Sequence, residues 1–211
     1  MDEKTRKIAQ DIANGYDLVA EKFSGTRKYF WRDLDWIKDE IKENDRILDF
    51  GCGNGRMLEI LKNKKLEYWG VDVSEKLLEK ARGKYPELEE RFIKTSAQER
   101  LPFPEGFFNV ICSIAVFHHF PPEMQMEKAK ELYDLLSDGG TLIVSVWNLI
   151  EKNIPGSEIE IPFENEKGNI FNRYHFVFDE SNLVEIFSQA GFSTVKCYLE
   201  NKRNWIIIAK K

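Results

Sequence analysis

Arg46-Ile-Leu-Asp-Phe-Gly-Cys-Gly-Asn-Gly-Arg56 decides how the rest of the chain is read. A short aliphatic run, with Leu48 and Phe50 at buried-strand spacing, breaks into glycines at positions 51, 53 and 55. Met57, Leu58, Ile60 and Leu61 then recur at the spacing of one helical face. The pattern predicts a strand, a tight loop and a helix. Glycines permit backbone conformations closed to other residues and remove bulk, so a ligand is expected to lie against this loop. Loop amides followed by a helix N-terminus favour negative charge, but the spacing is G-x-G-x-G rather than the G-x-G-x-x-G of dinucleotide binders.

With Asp72 closing Tyr68-Trp-Gly-Val-Asp-Val73, the segment Asp49-x-Gly-Cys-Gly-x-Gly55 resembles the first motif of class I S-adenosylmethionine-dependent methyltransferases. The resemblance implies that the loop (Asp49, Gly51, Gly53, Gly55) holds the methionine part of S-adenosyl-L-methionine. It also implies that Asp72, with Val73 beside it, holds the ribose hydroxyls. Many members place an acid after the third strand to receive the adenine amino group; here Ser96-Ala97-Gln98 stands there, and the Ser96 or Gln98 side chain is the expected acceptor. Ser113 and Ile114, ending the fourth strand, complete the cofactor residues that the resemblance implies. The fold it implies is α/β: a Rossmann-like, doubly wound, mostly parallel seven-stranded sheet with an antiparallel C-terminal hairpin and an N-terminal helical lid. All of residues 1–211 are assigned to one domain, divided into a lid (1–44), a cofactor-binding core (45–147), a substrate-recognition insertion (148–178) and a C-terminal helix and hairpin (179–211).

At 211 residues the chain can bury one substantial core. Cys52, Cys112 and Cys197 are scattered without C-x-x-C or histidine partners, so neither a disulfide framework nor a metal site is expected, and a reducing, cytoplasmic setting follows. No signal-type stretch or membrane span is evident. A net charge of −5 argues against a general electrostatic grip on nucleic acid but leaves room for a local basic patch.

Two helices are expected between Thr5 and Ile41, one carrying Tyr16, Val19, Ala20 and Phe23, the other Phe30, Leu34, Ile37 and Ile41, with a break at Ser24-Gly-Thr26. Strands are expected at Arg91–Ser96 and Thr141–Trp147, the latter after a Ser137-Asp-Gly-Gly140 turn. Residues 148–178 form the longest irregular segment and end in Phe171-Asn-Arg-Tyr-His-Phe-Val-Phe178. Alternation there puts Tyr174, Phe176 and Phe178 on one face, and Arg173 and His175 on a face read either as a solvated edge or as part of the site.

Tyr16-Asp-x-x-Ala-x-x-Phe-Ser-x-Thr-Arg27, followed by Trp31, resembles a narrower family, the tRNA wobble-uridine carboxymethyl methyltransferases, and Arg173-Tyr-His175 fits the same family. That resemblance implies tRNA as partner and, from eukaryotic members, a small zinc-binding activator subunit. A carboxylate acceptor is ionised at neutral pH and needs no base, whereas an amine or hydroxyl calls for one, with His118, His119 or His175 as candidates. Of His118 and His119, one is expected to be structural and the other, His119, to face the acceptor. Arg27 and Arg173 are the expected carboxylate forks. Arg27, Lys28, Arg32 and the Lys202-Arg203 turn are the expected RNA-facing cations. A small-molecule methyltransferase and a non-catalytic cofactor-binding partner protein are the alternative readings.

Overall fold

The computed structural model describes residues 2–27 and 29–211, with the backbone alone at Thr194; the expectation for Lys28 lies outside the described residues. Parallel strands β1 (Arg46–Phe50), β2 (Glu67–Asp72), β3 (Phe92–Lys94), β4 (Phe108–Ile114) and β5 (Leu136–Trp147) join an antiparallel hairpin, β8 (Thr194–Glu200) and β9 (Asn204–Lys210). They form a seven-stranded sheet of order β3-β2-β1-β4-β5-β9-β8. Strand order reverses between β1 and β4, and in open α/β sheets ligands bind beyond the carboxyl ends of the strands at such a switch point.

Successive strand residues enter opposite cores, as a period of two requires. Leu48, Ile111, Leu142, Val144 and Ile207 share one cluster with Val19 of α1 (Glu3–Thr26), Leu132 of α5 (Pro122–Leu135) and Phe187 of α6 (Glu180–Gln189). Ile47, Val110, Cys112, Ile143 and Ile206 share the other with Leu34, Ile37, Met57, Leu61, Leu78 and Ala81. The last four come from the turn after the glycine loop, α3 (Leu58–Leu61) and α4 (Glu75–Lys84). Side chains cap the helices as their sequences suggest: Ser74 accepts from Leu77 N, and Asp179 and Asn182 form a capping box.

Four expectations need correction. The first helix does not break at Ser24 but runs to Thr26, because the Thr26 hydroxyl donates back to the Lys22 carbonyl at 2.7 Å and carries the helix across Gly25. The second lid helix is replaced by a single 3-10 turn (Arg32–Leu34) and the short α2 (Ile37–Glu40). Phe30, Leu34, Ile37 and Ile41 are buried nonetheless, while extended backbone at Trp31 keeps the stretch from being one helix. The segment after β5 is not irregular. It contains a separate antiparallel pair, β6 (Glu158–Glu164) and β7 (Ile170–Phe176). Pro162 is tolerated because this two-stranded sheet has only edges. The third strand is also shorter than expected, a 3-10 turn over Pro86–Arg91 taking its start. The Ser137–Gly140 turn survives as a bulge, the register jumping from Phe108↔Leu136 to Val110↔Thr141. Among the described residues no helix is long and apolar enough to cross a membrane.

Candidate active site

The glycine loop sits on the crest of the sheet. Gly51 N and Cys52 N both donate to Val71 O, at 2.8 and 3.0 Å, which ties the loop to the end of β2. All three glycines have positive φ (78°, 55° and 71°), but their bare faces serve different ends. A Cβ on Gly51 would lie 2.2 Å from Val116 Cγ2, and one on Gly55 would lie 3.3 Å from the Tyr85 and Phe92 rings, so these two make room for the protein's own side chains. A Cβ on Gly53 would meet nothing nearer than a Phe23 ring carbon at 3.6 Å, so of the three it is the one whose bare face lies open.

Asp72 fastens this loop: its Oδ2 accepts from Gly53 N and its Oδ1 from Ser74 N, both at 2.8 Å. Burial pushes its carboxyl up to about 6 against the opposing pull of the Ser74, Gly53 and Val73 amides. Asp49 lies beneath, accepting from the Tyr68 hydroxyl at 2.8 Å. Burial pushes it up to about 7, with the Tyr68 bond and the Arg56 charge opposing.

A continuous cavity opens above the loop. Of the cofactor residues expected from sequence, Asp49, Gly51, Gly53, Asp72, Val73, Ser96, Ala97 and Ile114 line it. Gly55, Ser113 and Gln98 do not. Ser113 is fully buried within β4, and Gln98 is exposed with its amide donating to the Arg6 carbonyl at 3.4 Å. Ser96 remains at the cavity, its hydroxyl oxygen accepting from Gln98 N at 3.1 Å. The loop after β3 is held by a buried ion pair. Lys128 Nζ lies 2.8 Å from Glu131 and donates to the Glu99 carbonyl at 3.0 Å. Arg56 and Asn54 also line the cavity, although sequence reasoning gave them no role in the site; so do Tyr16, which entered only as the start of the lid motif, and Trp147, which the sequence left open between core and a wall for the substrate. Arg56 lies over Trp31, its guanidinium carbon 4.1 Å from the ring centre, and burial lowers it to about 10.

The far end of the cavity is built by α1, the 3-10 turn at Phe117–His119 and β7. Tyr16 Oη lies 2.7 Å from His119 Nε2, and His119 Nδ1 lies 2.7 Å from the Tyr174 carbonyl. A carbonyl only accepts, so Nδ1 carries the proton and Nε2 accepts from the Tyr16 hydroxyl. His118 is buried away from the cavity and His175 Nδ1 donates to the Arg173 carbonyl at 2.9 Å. Burial lowers all three imidazoles, His175 to about 4, so they are neutral at pH 7. Their ring nitrogens lie within 4.8 Å of one another, but the nearby Arg173 cation, which contributes to lowering each of them, disfavours a metal ion.

Arg173 is 5 % exposed, so its side of β7 is no solvated edge. Its guanidinium lies 5.1 Å from the Trp147 ring centre and 4.9 Å from that of Phe163. Arg27, half-buried at the end of α1, lies 4.5 Å from Phe23 and 5.2 Å from Phe163. Burial and then the Arg173 charge lower Arg27. Among the described residues neither arginine has a carboxylate within salt-bridge distance. The structure thus brings Arg27, His119 and Arg173 to one end of the cavity.

Residues 23–196 match the family described as a methyltransferase domain. The chain belongs to this methyltransferase-domain family. It is 32% identical over 133 residues to the tRNA (carboxymethyluridine(34)-5-O)-methyltransferase of Arabidopsis thaliana, a match covering 63% of this chain and 31% of that protein. The chain thus spans about a third of that relative's length. It is 26% identical over 223 residues to the Schizosaccharomyces pombe protein of the same name, covering 93% of this chain and 94% of that one. Among solved structures, the complex between the Haloferax volcanii Trm112 methyltransferase activator and a methyltransferase matches with a TM-score of 0.70 and 16% identity, covering 94% of this chain and 96% of that chain.

The cofactor of this methyltransferase is S-adenosyl-L-methionine, and the residues present fit it. Asn54 Oδ1 and Arg56 Nη1 are buried at the loop without hydrogen-bond partners among the described residues, which suits a charged amino-acid group. Asp72 supplies an acid beside the open face of Gly53.

Proposed function

We propose that this methyltransferase esterifies a carboxylate, and that the acceptor is the carboxymethyl group on the wobble uridine of tRNA. The observation that carries this reading is the pair Arg27 and Arg173, two guanidinium groups at one end of the cavity with no carboxylate within salt-bridge distance among the described residues. The histidines support it from the other direction. An amine or hydroxyl acceptor calls for a base, yet both nitrogens of His119 are engaged, and His118 and His175 do not line the cavity. A carboxylate, with pKa about 4, needs no base. The names of the Arabidopsis and Schizosaccharomyces relatives point to the same acceptor.

S-adenosyl-L-methionine would supply an electrophilic methyl carbon on a sulfonium. Asp72 would accept from its ribose hydroxyls, Arg56 and Asn54 would meet its amino-acid end, and Val73, Ser96, Ala97 and Ile114 would wall the nucleoside. Arg27 and Arg173 then orient the acceptor carboxylate, each charged hydrogen bond contributing about 1.5–3 kcal/mol. They serve by positioning, since tighter pairing of the ground-state anion than of the less charged transition state would slow transfer. His119, locked as one tautomer, holds Tyr16 at the wall beside them.

Arg32 and the Lys202-Arg203 turn are the RNA-facing cations of this reading, and a cytoplasmic setting accords with a tRNA acceptor. A small zinc-binding activator subunit, which the family resemblance implies, is the second partner of this reading; the Haloferax methyltransferase of the same fold is seen with a methyltransferase activator. The test is incubation with labelled cofactor and bulk tRNA, then mild alkali. Base-labile label on tRNA is expected; alkali-stable label would exclude a carboxylate. Label on a small-molecule fraction alone would favour the small-molecule alternative. Arg27→Ala and Arg173→Ala should each abolish ester formation while cofactor affinity by calorimetry stays within about two-fold (under ~0.4 kcal/mol).

A further inference from the structure

We propose that Phe163 is a positioning residue of the acceptor site, its ring holding the Arg27 and Arg173 guanidinium groups at one end of the cavity without itself consuming the N–H donors that an anion needs. This rests on the carboxylate-acceptor reading above.

Arg27 ends α1 and Arg173 lies on β7, so no local backbone geometry couples them. Two cations drawn together in a partly dry cavity repel, and the usual remedy, a carboxylate between them, is missing among the described residues. The shared neighbour is instead an aromatic face. Phe163 lies 5.2 Å from one guanidinium and 4.9 Å from the other, within the distance at which a ring attracts a cation. An acid in its place would occupy the N–H donors that an acceptor anion needs; a ring engages the planar face and leaves the donors at the edge. Among the described residues Arg173 Nε has no partner, while the rest of its guanidinium lies in hydrogen-bond reach of the Tyr16 hydroxyl, and Arg27 spends one donor on Thr26 Oγ1 at 3.0 Å.

The ring is itself fixed relative to both arginines. Phe163 pairs with Phe171 across the β6–β7 ladder, and the Phe171 ring fills the notch at Gly15 on the helix that ends at Arg27. One strut therefore links the hairpin, the helix end and the aromatic clamp.

The test compares wild type, Phe163→Leu and Phe163→Tyr, each checked for folding by its thermal midpoint. Calorimetry with 5-carboxymethyluridine and with S-adenosylhomocysteine reads acceptor and cofactor affinity. NMR on ¹⁵N-arginine-labelled protein reads the ring-current displacement of the Arg27 and Arg173 Nε–H signals. Leucine is expected to weaken 5-carboxymethyluridine about ten-fold (~1.4 kcal/mol) with cofactor-product affinity unchanged, raising KM more than it lowers kcat, and to reduce both displacements to the part that Phe23 and Trp147 supply; tyrosine should restore them. Wild-type acceptor affinity in Phe163→Leu, an equal fall in cofactor-product affinity, or signals that do not move between wild type and Phe163→Leu would overturn the proposal. Should wild type bind S-adenosylhomocysteine but not 5-carboxymethyluridine, the acceptor reading falls, and the NMR comparison still decides whether Phe163 holds the arginines.

Discussion

Asp72 works in two directions at once, toward the protein through the Gly53 and Ser74 amides and toward the cavity. Burial holds its proton on up to about pH 6, and a protonated carboxyl cannot accept fully from ribose hydroxyls. Affinity for S-adenosylhomocysteine should therefore fall about ten-fold between pH 7.5 and 5, and Asp72→Asn should bind weakly at both; calorimetry at the two values checks it. For the fold itself the sign differs between acids and imidazoles. Asp72 is raised above its unfolded 3.8, so between about 4 and 6 the native state holds more protons and stability from this residue falls as pH rises. His175 is lowered to about 4 from 6.5, so between those values the unfolded chain holds more protons and stability falls as pH drops. His175→Asn, which keeps a donor for the Arg173 carbonyl and does not titrate, should make the urea midpoint less sensitive between pH 7 and pH 5 than in wild type. The crest loop and Asp72 were legible in sequence because a short motif specifies a local conformation and its chemistry together. Arg56 lay inside that motif but took its role from Trp31, which is distant in sequence, and Tyr16 opened the lid motif without a contact to name until His119 met it.

At the level of elements, α1 is the part that assembles the site. Asp17 accepts from Ser74 Oγ at 2.6 Å and from Lys76 N at 3.1 Å, docking the helix on α4, while Tyr16 reaches His119. One residue before Tyr16, Gly15 lets the Phe171 ring come so near that a Cβ would lie 2.1 Å from it. Alanine gains about 1 kcal/mol of helix propensity over glycine, but overpacking a fitted contact costs about 1–3 kcal/mol. Gly15→Ala should thus be net destabilising in urea titrations and should impair methyl transfer more than cofactor binding, with Phe171→Leu in the same chain recovering part of both. The β6–β7 pair was missed in sequence although Glu158-Ile-Glu-Ile-Pro-Phe-Glu164 alternates cleanly, because its proline and the flanking glycines read as loop punctuation. The folded-over hairpin also explains why Arg173 and His175 are buried: a strand covered on both faces has no solvated edge. The main sheet, by contrast, was legible throughout, since its strands are short apolar runs separated by capped helices.

Across the whole molecule the charge is −5, so any hold on RNA is local. Asn204, which follows the Lys202-Arg203 turn, pairs with Trp147 at the carboxyl end of β5, placing the turn on the same edge as the cavity. Arg203 lies 3.9 Å from Asp33, beside exposed Arg32, in the segment that follows α1. Cations thus gather at one rim of an acidic protein. Replacing Lys202 and Arg203 by alanine should weaken tRNA binding, reduce the slope of log affinity against log salt by up to about 2, and leave S-adenosylhomocysteine affinity unchanged. Filter binding across a salt series reads the first two.

The two-stranded hairpin shares no ladder with the seven-stranded sheet, and so its residues can change without disturbing the register on which the cofactor loop depends. Choice of acceptor and grip on the methyl donor are thereby free to diverge: transplanting residues 157–176 from a homologue of different specificity, with the Gly15 notch kept, is the economical route to a new product from an old engine.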